Sequence, residues 1–243
     1  MRGKAVPEVR LLAIGAHPDD VEFGCGGILV KEAARGTRVT VMSLTRGEAA
    51  SNGTPETRRR EAQAAAKAMG ASFECLELEG DCRIEYRPAN ALAIARAIRR
   101  IKPRIVLAPT PEENQHPDHG KAARLAADAA RLARYGGLEG LEPLESHAID
   151  ALYFYDITGV GVRSAVNHLP KIIVDVSSAL EAWTAAMECH VSQMATRKYI
   201  DLVLARSRAL GLEIGVEHAM AVFANEPIRL EALTDLRLSS RLY

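Results

Sequence analysis

Leu11-Leu-Ala-Ile-Gly-Ala-His-Pro-Asp-Asp-Val-Glu-Phe-Gly-Cys-Gly-Gly27 decides how the rest of the chain is read. It begins as a short apolar run of strand character, presents His17, Asp19 and Asp20, and then passes through glycines into an amphipathic segment. A strand, a polar loop and a helix in that order put the loop at the carboxyl end of a strand. In α/β proteins that is where a rigid scaffold holds ligand-binding side chains in a crevice. One imidazole and two carboxylates at such a junction predict chemistry rather than a plain turn.

The alternation continues downstream. Between residues 26 and 35, Ile28, Leu29 and Ala33 recur at helical spacing, and Gly36 follows in a C-cap position. Residues 38–44 read as a second strand and 45–54 as a polar loop leaving its carboxyl end. Residues 55–69 are rich in Ala, Glu and Arg, with Pro55 near the first turn and Gly70 past the end, which predicts a helix. A third strand is predicted near 72–78. A helix follows over 88–101, with Leu92, Ala95, Ile98 and Ile101 on one face, and then a fourth strand over 105–108. The pattern predicts a Rossmann-like, doubly wound α/β fold: a mostly parallel sheet flanked by helices, in a single domain over 1–243. In strand order 3-2-1-4, strands one and four adjoin at the switch point, and the loops that follow them meet. The loop after strand four ends in His116-Pro-Asp-His119 and opens a helix predicted over 120–134, with Pro117 suited to a first turn. Further on, 151–157 and 171–176 read as strands separated by a loop beginning Thr158-Gly-Val-Gly161. Residues 178–187 and 195–210 read as helices, and 219–223 as a last strand.

Composition narrows the partners. Thirty-one basic residues balance thirty-one acidic ones, so no global field favours nucleic acid or an anionic membrane, and a small molecule is the expected partner. Residues 1–10 carry no apolar signal-peptide core and no long apolar run follows, which leads to the expectation of a cytosolic chain with no membrane span. Cys25, Cys75, Cys82 and Cys189 form no Cys-x-x-Cys pair and are read as reduced, mostly buried thiols.

His17, Asp20 and His119 together make a set of two imidazoles and one carboxylate. Catalytic zinc favours such a field, with a fourth position left for water; iron or manganese could take its place. Asp19 is then a spare carboxylate beside that water, placed to act as general base. His116 faces the other side of a substrate carbonyl, able to stabilise an oxyanion and protonate a leaving amine, with Asp118 placed to keep its imidazole charged. Two rival readings are weaker. Gly24-x-Gly26-Gly27 hints at a nucleotide-binding module, but the spacing is not Gly-x-Gly-x-x-Gly and the acidic turn would repel phosphate. A metal protein without catalysis would have no use for Asp19 and His116.

These residues resemble the PIG-L/LmbE-like deacetylases, zinc hydrolases that remove N-acetyl groups from glucosamine-containing molecules. The resemblance is carried by Ala16-His-Pro-Asp-Asp20 and His116-Pro-Asp-His119, with further likeness in Thr45-Arg-Gly-Glu48, Ser51-Asn-Gly-Thr-Pro-Glu-Thr-Arg58, Ser192-Gln193 and Gly215-Val216. It implies zinc on His17, Asp20 and His119, Asp19 as base, and His116 with Asp118 as the acid pair. It also implies substrate contacts from Arg58, Asp81 and His190, and a homo-oligomer, often a hexamer. The bacillithiol branch, which deacetylates N-acetylglucosaminyl malate, looks nearest. This chain departs from that branch at Gln115, His218, Met220 and Val222. An Arg58 fork reaching into the crevice would suit the carboxylates of malate.

Overall fold

The computed structural model describes residues 8–111, 116–157, 169–194 and 198–232. Gln115 and the loop beginning at Thr158 lie outside those residues. Seven strands form one sheet among them: β1 (Arg10–Gly15), β2 (Arg38–Ser43), β3 (Ser72–Cys75), β4 (Ile105–Pro109), β5 (Ala151–Tyr155), β6 (Lys171–Asp175) and β7 (Ala219–Ala224). Their order is β3-β2-β1-β4-β5-β7-β6. The first five run parallel, with Gly15 opposite Ser43 and Leu12 opposite Val106, and β7 is antiparallel to both β5 and β6. β1 and β4 are therefore neighbours, as the predicted order requires, and the loops leaving them open on the same edge.

Alternation along β1 separates two cores. Leu12 and Ile14 pack with Ile94, Ile98 and Leu125 of α3 (Pro88–Ile101) and α4 (Pro117–Leu132). Leu11 and Ala13 face Leu29, Ala65 and Trp183, which belong to α1 (Asp20–Ala34), α2 (Pro55–Ala68) and α5 (Leu180–Glu188). Strands buried on both faces are expected in a parallel sheet, and this is why they read as apolar runs. Two further helices follow α5, the short α6 (Val191–Met194) and α7 (Tyr199–Glu213). No helix among the described residues is long and apolar enough to cross a membrane.

Several boundaries differ from the expectation: β3 ends at Cys75 rather than 78 and β5 at Tyr155 rather than 157, and helix starts differ as well. α1 starts at Asp20 rather than at 26, and α4 at Pro117 rather than at 120. Both helices thus begin on the motif residues themselves. α7 starts at Tyr199, and 195–197 of the helix predicted from 195 lie outside the described residues. Glycines normally weaken a helix interior. Here they admit aromatic rings. A Cβ on Gly24 would lie 2.2 Å from Tyr155 Cδ2, and one on Gly26 would lie 2.8 Å from Trp183 Cδ1. The rings are fixed in turn by hydrogen bonds from Tyr155 Oη to Ile14 O (2.7 Å) and from Trp183 Nε1 to Glu22 O (2.8 Å). His218 precedes β7, while Met220 and Val222 lie within it; all three are buried, with Met220 Sδ against Gly27, and none lines the crevice described below.

Gly24→Ala tests this packing. At an open helix position the change would stabilise by up to ~1 kcal/mol. Against the Tyr155 ring it is expected to cost about 1–3 kcal/mol, lowering the melting temperature by several degrees. Thermal denaturation followed by circular dichroism checks it, and an unchanged or higher midpoint would show that the ring does not constrain α1.

Candidate active site

The loop after β1 is held from both sides. β2 extends its ladder into the loop, with Leu44 N–H donating to Gly15 O (2.9 Å) and both Thr45 N–H (3.0 Å) and Thr45 Oγ1 (2.9 Å) donating to Ala16 O. Asp19 then adopts φ 116°, a conformation that side chains other than glycine rarely take and that costs of order 1–3 kcal/mol. The buried Arg58 of α2 secures it. Its Nη2 donates to Pro18 O at 2.6 Å and to Asp19 Oδ2 at 3.1 Å, and its Nη1 to Gly47 O at 3.4 Å. Asp20 Oδ2 accepts the His17 N–H at 2.8 Å, closing the turn into α1.

The loop after β4 brings up the second motif. His116 caps α4, its Nδ1 accepting the Asp118 N–H at 3.3 Å. The Asp20 carboxylate stands between two rings, with Oδ2 3.5 Å from His17 Nδ1 and Oδ1 3.2 Å from His119 Nε2. His17 and His116 meet edge to face with centroids 4.4 Å apart, and His119 lies 5.5 and 5.6 Å from them. On the other side, Asp81 Oδ1 is 3.0 Å from His17 Nε2 and 3.5 Å from His116 Nε2, and Asp118 Oδ2 is 3.5 Å from His17 Nε2. Ligating atoms thus gather in two overlapping sets, His17 with His116 and His119, and His17 with Asp81, His116 and Asp118. His17 Nε2 is buried without a hydrogen bond. An orphaned imidazole nitrogen among carboxylates and two further imidazoles fits a divalent cation, and this donor set suits zinc, iron or manganese.

The charges divide the carboxylates. Burial lifts the Asp19 carboxyl to about 6, with Arg58 pulling against it. Burial also opposes the charge of Asp20, but His119 and His17 outweigh it and hold that group well below the usual range. Asp81 lies at about 2, where His17 overcomes the burial penalty. The His116 pKa is lowered, first by burial and then by His17, and the Asp118 and Asp81 carboxylates do not reverse this. The expectation that Asp118 keeps His116 charged is corrected accordingly. Asp118 is shared among Cys82 N–H at 2.8 Å, Lys121 Nζ at 3.3 Å and His17, and stands 4.0 Å from His116 Nδ1.

The cluster lines one end of a cavity of about 490 Å³. Asp19, Arg58 and Asp81 line it as well, and Phe23, Ile157, Tyr199, Leu202 and Val203 make an apolar wall. Ser192 and Gln193 strap the rim: Ser192 Oγ donates to Glu61 Oε2 at 2.6 Å, and Gln193 Nε2 to Asn52 O at 3.0 Å. Two expectations about substrate contacts change here. Arg58 is only 4% exposed and its guanidinium is committed to the loop, so it presents no open fork. His190 does not line the cavity; it is fully buried, its Nε2 3.5 Å from Oε1 of the equally buried Glu22. An alternating pattern could not have revealed that pairing, because Glu22 sits in a glycine-rich turn of α1. Cys82 was also missed: its thiol is exposed at the rim, not buried.

Burial works against a charge on His190, yet Glu22, aided by Asp19, raises its pKa above the ordinary value. The folded protein therefore holds this proton more tightly than the unfolded chain does. That stability is fully present below pH ~6.5 and is lost as pH rises through the folded value. Replacing one partner of a buried pair strands the other, so His190→Asn is expected to cost about 3 kcal/mol at pH 6 and distinctly less at pH 9. Urea denaturation at the two pH values measures it, and an equal cost at both would remove the ion pair from the account.

Residues 12–130 match the family described as PIG-L: GlcNAc-PI de-N-acetylase. The chain is 29% identical over 197 residues to the diacetylchitobiose deacetylase of Thermococcus kodakarensis, covering 76% of this chain and 70% of that one. It is 26% identical over 204 residues to the 4-oxalmesaconate hydratase of Pseudomonas putida, covering 79% and 77%. Among solved structures, the conserved protein TT1542 of Thermus thermophilus superposes with a TM-score of 0.79 and 33% identity over 90% of this chain and 96% of that one. With the His-Pro-Asp-Asp and His-Pro-Asp-His loops meeting at the switch point of such a sheet, the chain belongs to the PIG-L family of metal-dependent amide hydrolases.

Proposed function

We propose that the protein removes the N-acetyl group from an N-acetylglucosamine-containing small molecule, with zinc held by His17, Asp20 and His119. The observation that carries the reading is the pairing of Asp19, lifted to about 6, with a strongly acidic Asp20 beside it: one carboxylate is poised to move protons and the other is suited to stay charged. When bound, a divalent metal supplies Lewis acidity, which acidifies water and polarises the amide carbonyl.

The chain's own residues supply the rest. Asp19, fixed by Arg58, takes the proton of the attacking water and can return it to the leaving amine. His116 accepts the Asp118 N–H on Nδ1, so its proton sits on Nε2, which faces the cavity beside Asp81. As a neutral imidazole it donates a hydrogen bond to the developing oxyanion, and its lowered pKa suits that role better than proton delivery. Asp81, on the same wall, accepts from a sugar hydroxyl. The apolar wall and the strap of Gln193 confine the remainder of the substrate.

The aglycone is the finer question. Arg58 is the one Arg or Lys side chain among the described lining residues, and it is already held by Pro18 and Asp19. N-acetylglucosaminyl malate is therefore proposed as one acceptable conjugate among several. The expected kcat/KM for the malate conjugate lies within about tenfold of that for the methyl glycoside of N-acetylglucosamine. A charge-assisted contact to malate would instead give a preference of roughly ten- to a hundredfold.

Fluorescamine detection of freed amines across N-acetylglucosaminides, with and without added zinc, tests the activity itself. No amine from any of them would sink the deacetylase reading and move attention to hydration, the reaction named for the Pseudomonas putida relative. The two neighbouring aspartates should part in their effects. Asp20→Asn is expected to lose metal in elemental analysis, whereas Asp19→Asn keeps one metal per chain and loses about 10²-fold or more in kcat. Near-normal turnover in Asp19→Asn would assign the base elsewhere.

A further inference from the structure

Cys82 plays no part in amide hydrolysis, yet its backbone is held at φ 66°, a region that disfavours side chains. Its N–H donates to Asp118 Oδ2 at 2.8 Å, and the turn aims the exposed thiol at His116. Sγ lies 3.4 Å from His116 Nε2 and 3.5 Å from Asp81 Oδ1, and those two atoms are 3.5 Å from each other. A tetrahedral zinc ion with bonds of about 2.3 Å to sulfur and about 2.0–2.1 Å to nitrogen and oxygen separates such ligand atoms by roughly 3.3–3.6 Å. All three sides of the triangle agree.

The geometry points to a second metal site, built from Cys82 Sγ, His116 Nε2 and Asp81 Oδ1, that takes a soft divalent ion such as zinc or cadmium and shuts the crevice. The charges balance: the thiol releases its proton to solvent as the metal–sulfur bond forms, and thiolate and carboxylate together neutralise the dication. Coordination through Nε2 leaves the imidazole proton on Nδ1, on the side of the Asp118 carboxylate 4.0 Å away, in exchange for the hydrogen bond from the Asp118 N–H. Thiolate favours zinc and cadmium over magnesium or manganese, so the site discriminates among ions that the His17 cluster would admit. The other cysteines are placed differently. Cys25 is fully buried, Cys75 donates to Thr45 O and Cys189 to Ala185 O.

Binding at this site rests on the side chains alone. Its effect on turnover rests on the hydrolytic reading above, because the ion removes the Nε2 proton and occupies Asp81. Wild type and Cys82→Ala, each loaded with one equivalent of zinc, are dialysed against rising cadmium, and metals are counted by mass spectrometry. Wild type is expected to keep its zinc, take up one cadmium and gain an ultraviolet thiolate-to-cadmium band; Cys82→Ala shows neither the cadmium nor the band. In parallel, excess zinc should slow wild-type deacetylation by about tenfold or more, and Cys82→Ala, relative to its own rate at one equivalent, by about twofold at most. Wild type that takes no second metal, or a second metal that persists in Cys82→Ala, overturns the site. If the cadmium and its band appear but no N-acetylglucosaminide is ever hydrolysed, the site stands and the deacetylase reading falls.

Discussion

Arg58 is the interaction on which the crevice depends. Asp19 occupies a backbone conformation unfavourable for its side chain, and the peptide before it turns its carbonyl inward; a single guanidinium beneath the loop binds both. The same contact keeps a carboxylate charged in a place where burial favours its neutral form. Without the cation, the strain of the turn and the proximity of Asp19 to Asp20 would both be uncompensated. That arrangement explains why an arginine on a helix dense with charged residues is buried at all.

Around that anchor, charge is sorted by pairing rather than by distance from solvent. Asp20 sits between His17 and His119, Asp81 and Asp118 face His17 from the other side, and Glu22 faces His190 one layer deeper. Asp20, Asp81, Asp118 and Glu22 are tolerated where they are because an imidazole stands near each, and His17, His119 and His190 for the same reason. Asp19 differs in having a guanidinium as partner, and its carboxyl is lifted to about 6. The crevice therefore holds acids of very different strength within one turn of chain.

The sheet and its switch point were legible in the sequence because β1, β2 and β4 are buried on both faces, so their apolar runs stand out between amphipathic helices. Both motif loops, and hence His17, Asp20, His116 and His119, could be placed for the same reason. The start of α1 was not legible: Gly24 and Gly26 look like helix breakers until Tyr155 and Trp183, more than a hundred residues away, are seen to need the space. Roles that depend on what a side chain touches were misjudged in both directions. The sequence suggests an open fork for Arg58, a substrate contact for His190 and no role for Cys82, since spacing along the chain does not report which partner lies across the fold. The protonation of His116 turned on a backbone N–H two residues away, which no pattern of residue types encodes.

The cavity is assembled from two parts of the chain that meet only in the folded state. Among the described residues, every member of the candidate metal-ligating cluster falls between residues 17 and 119, inside or beside the first four strands, whereas much of the apolar wall comes from Ile157, Tyr199, Leu202 and Val203. Substitutions in α7 can reshape what the crevice admits without touching a group that moves a proton. Such a fold lets substrate range drift while reactivity is conserved, so descendants of one ancestor can inherit the same reaction centre and diverge through a helix that bears none of it.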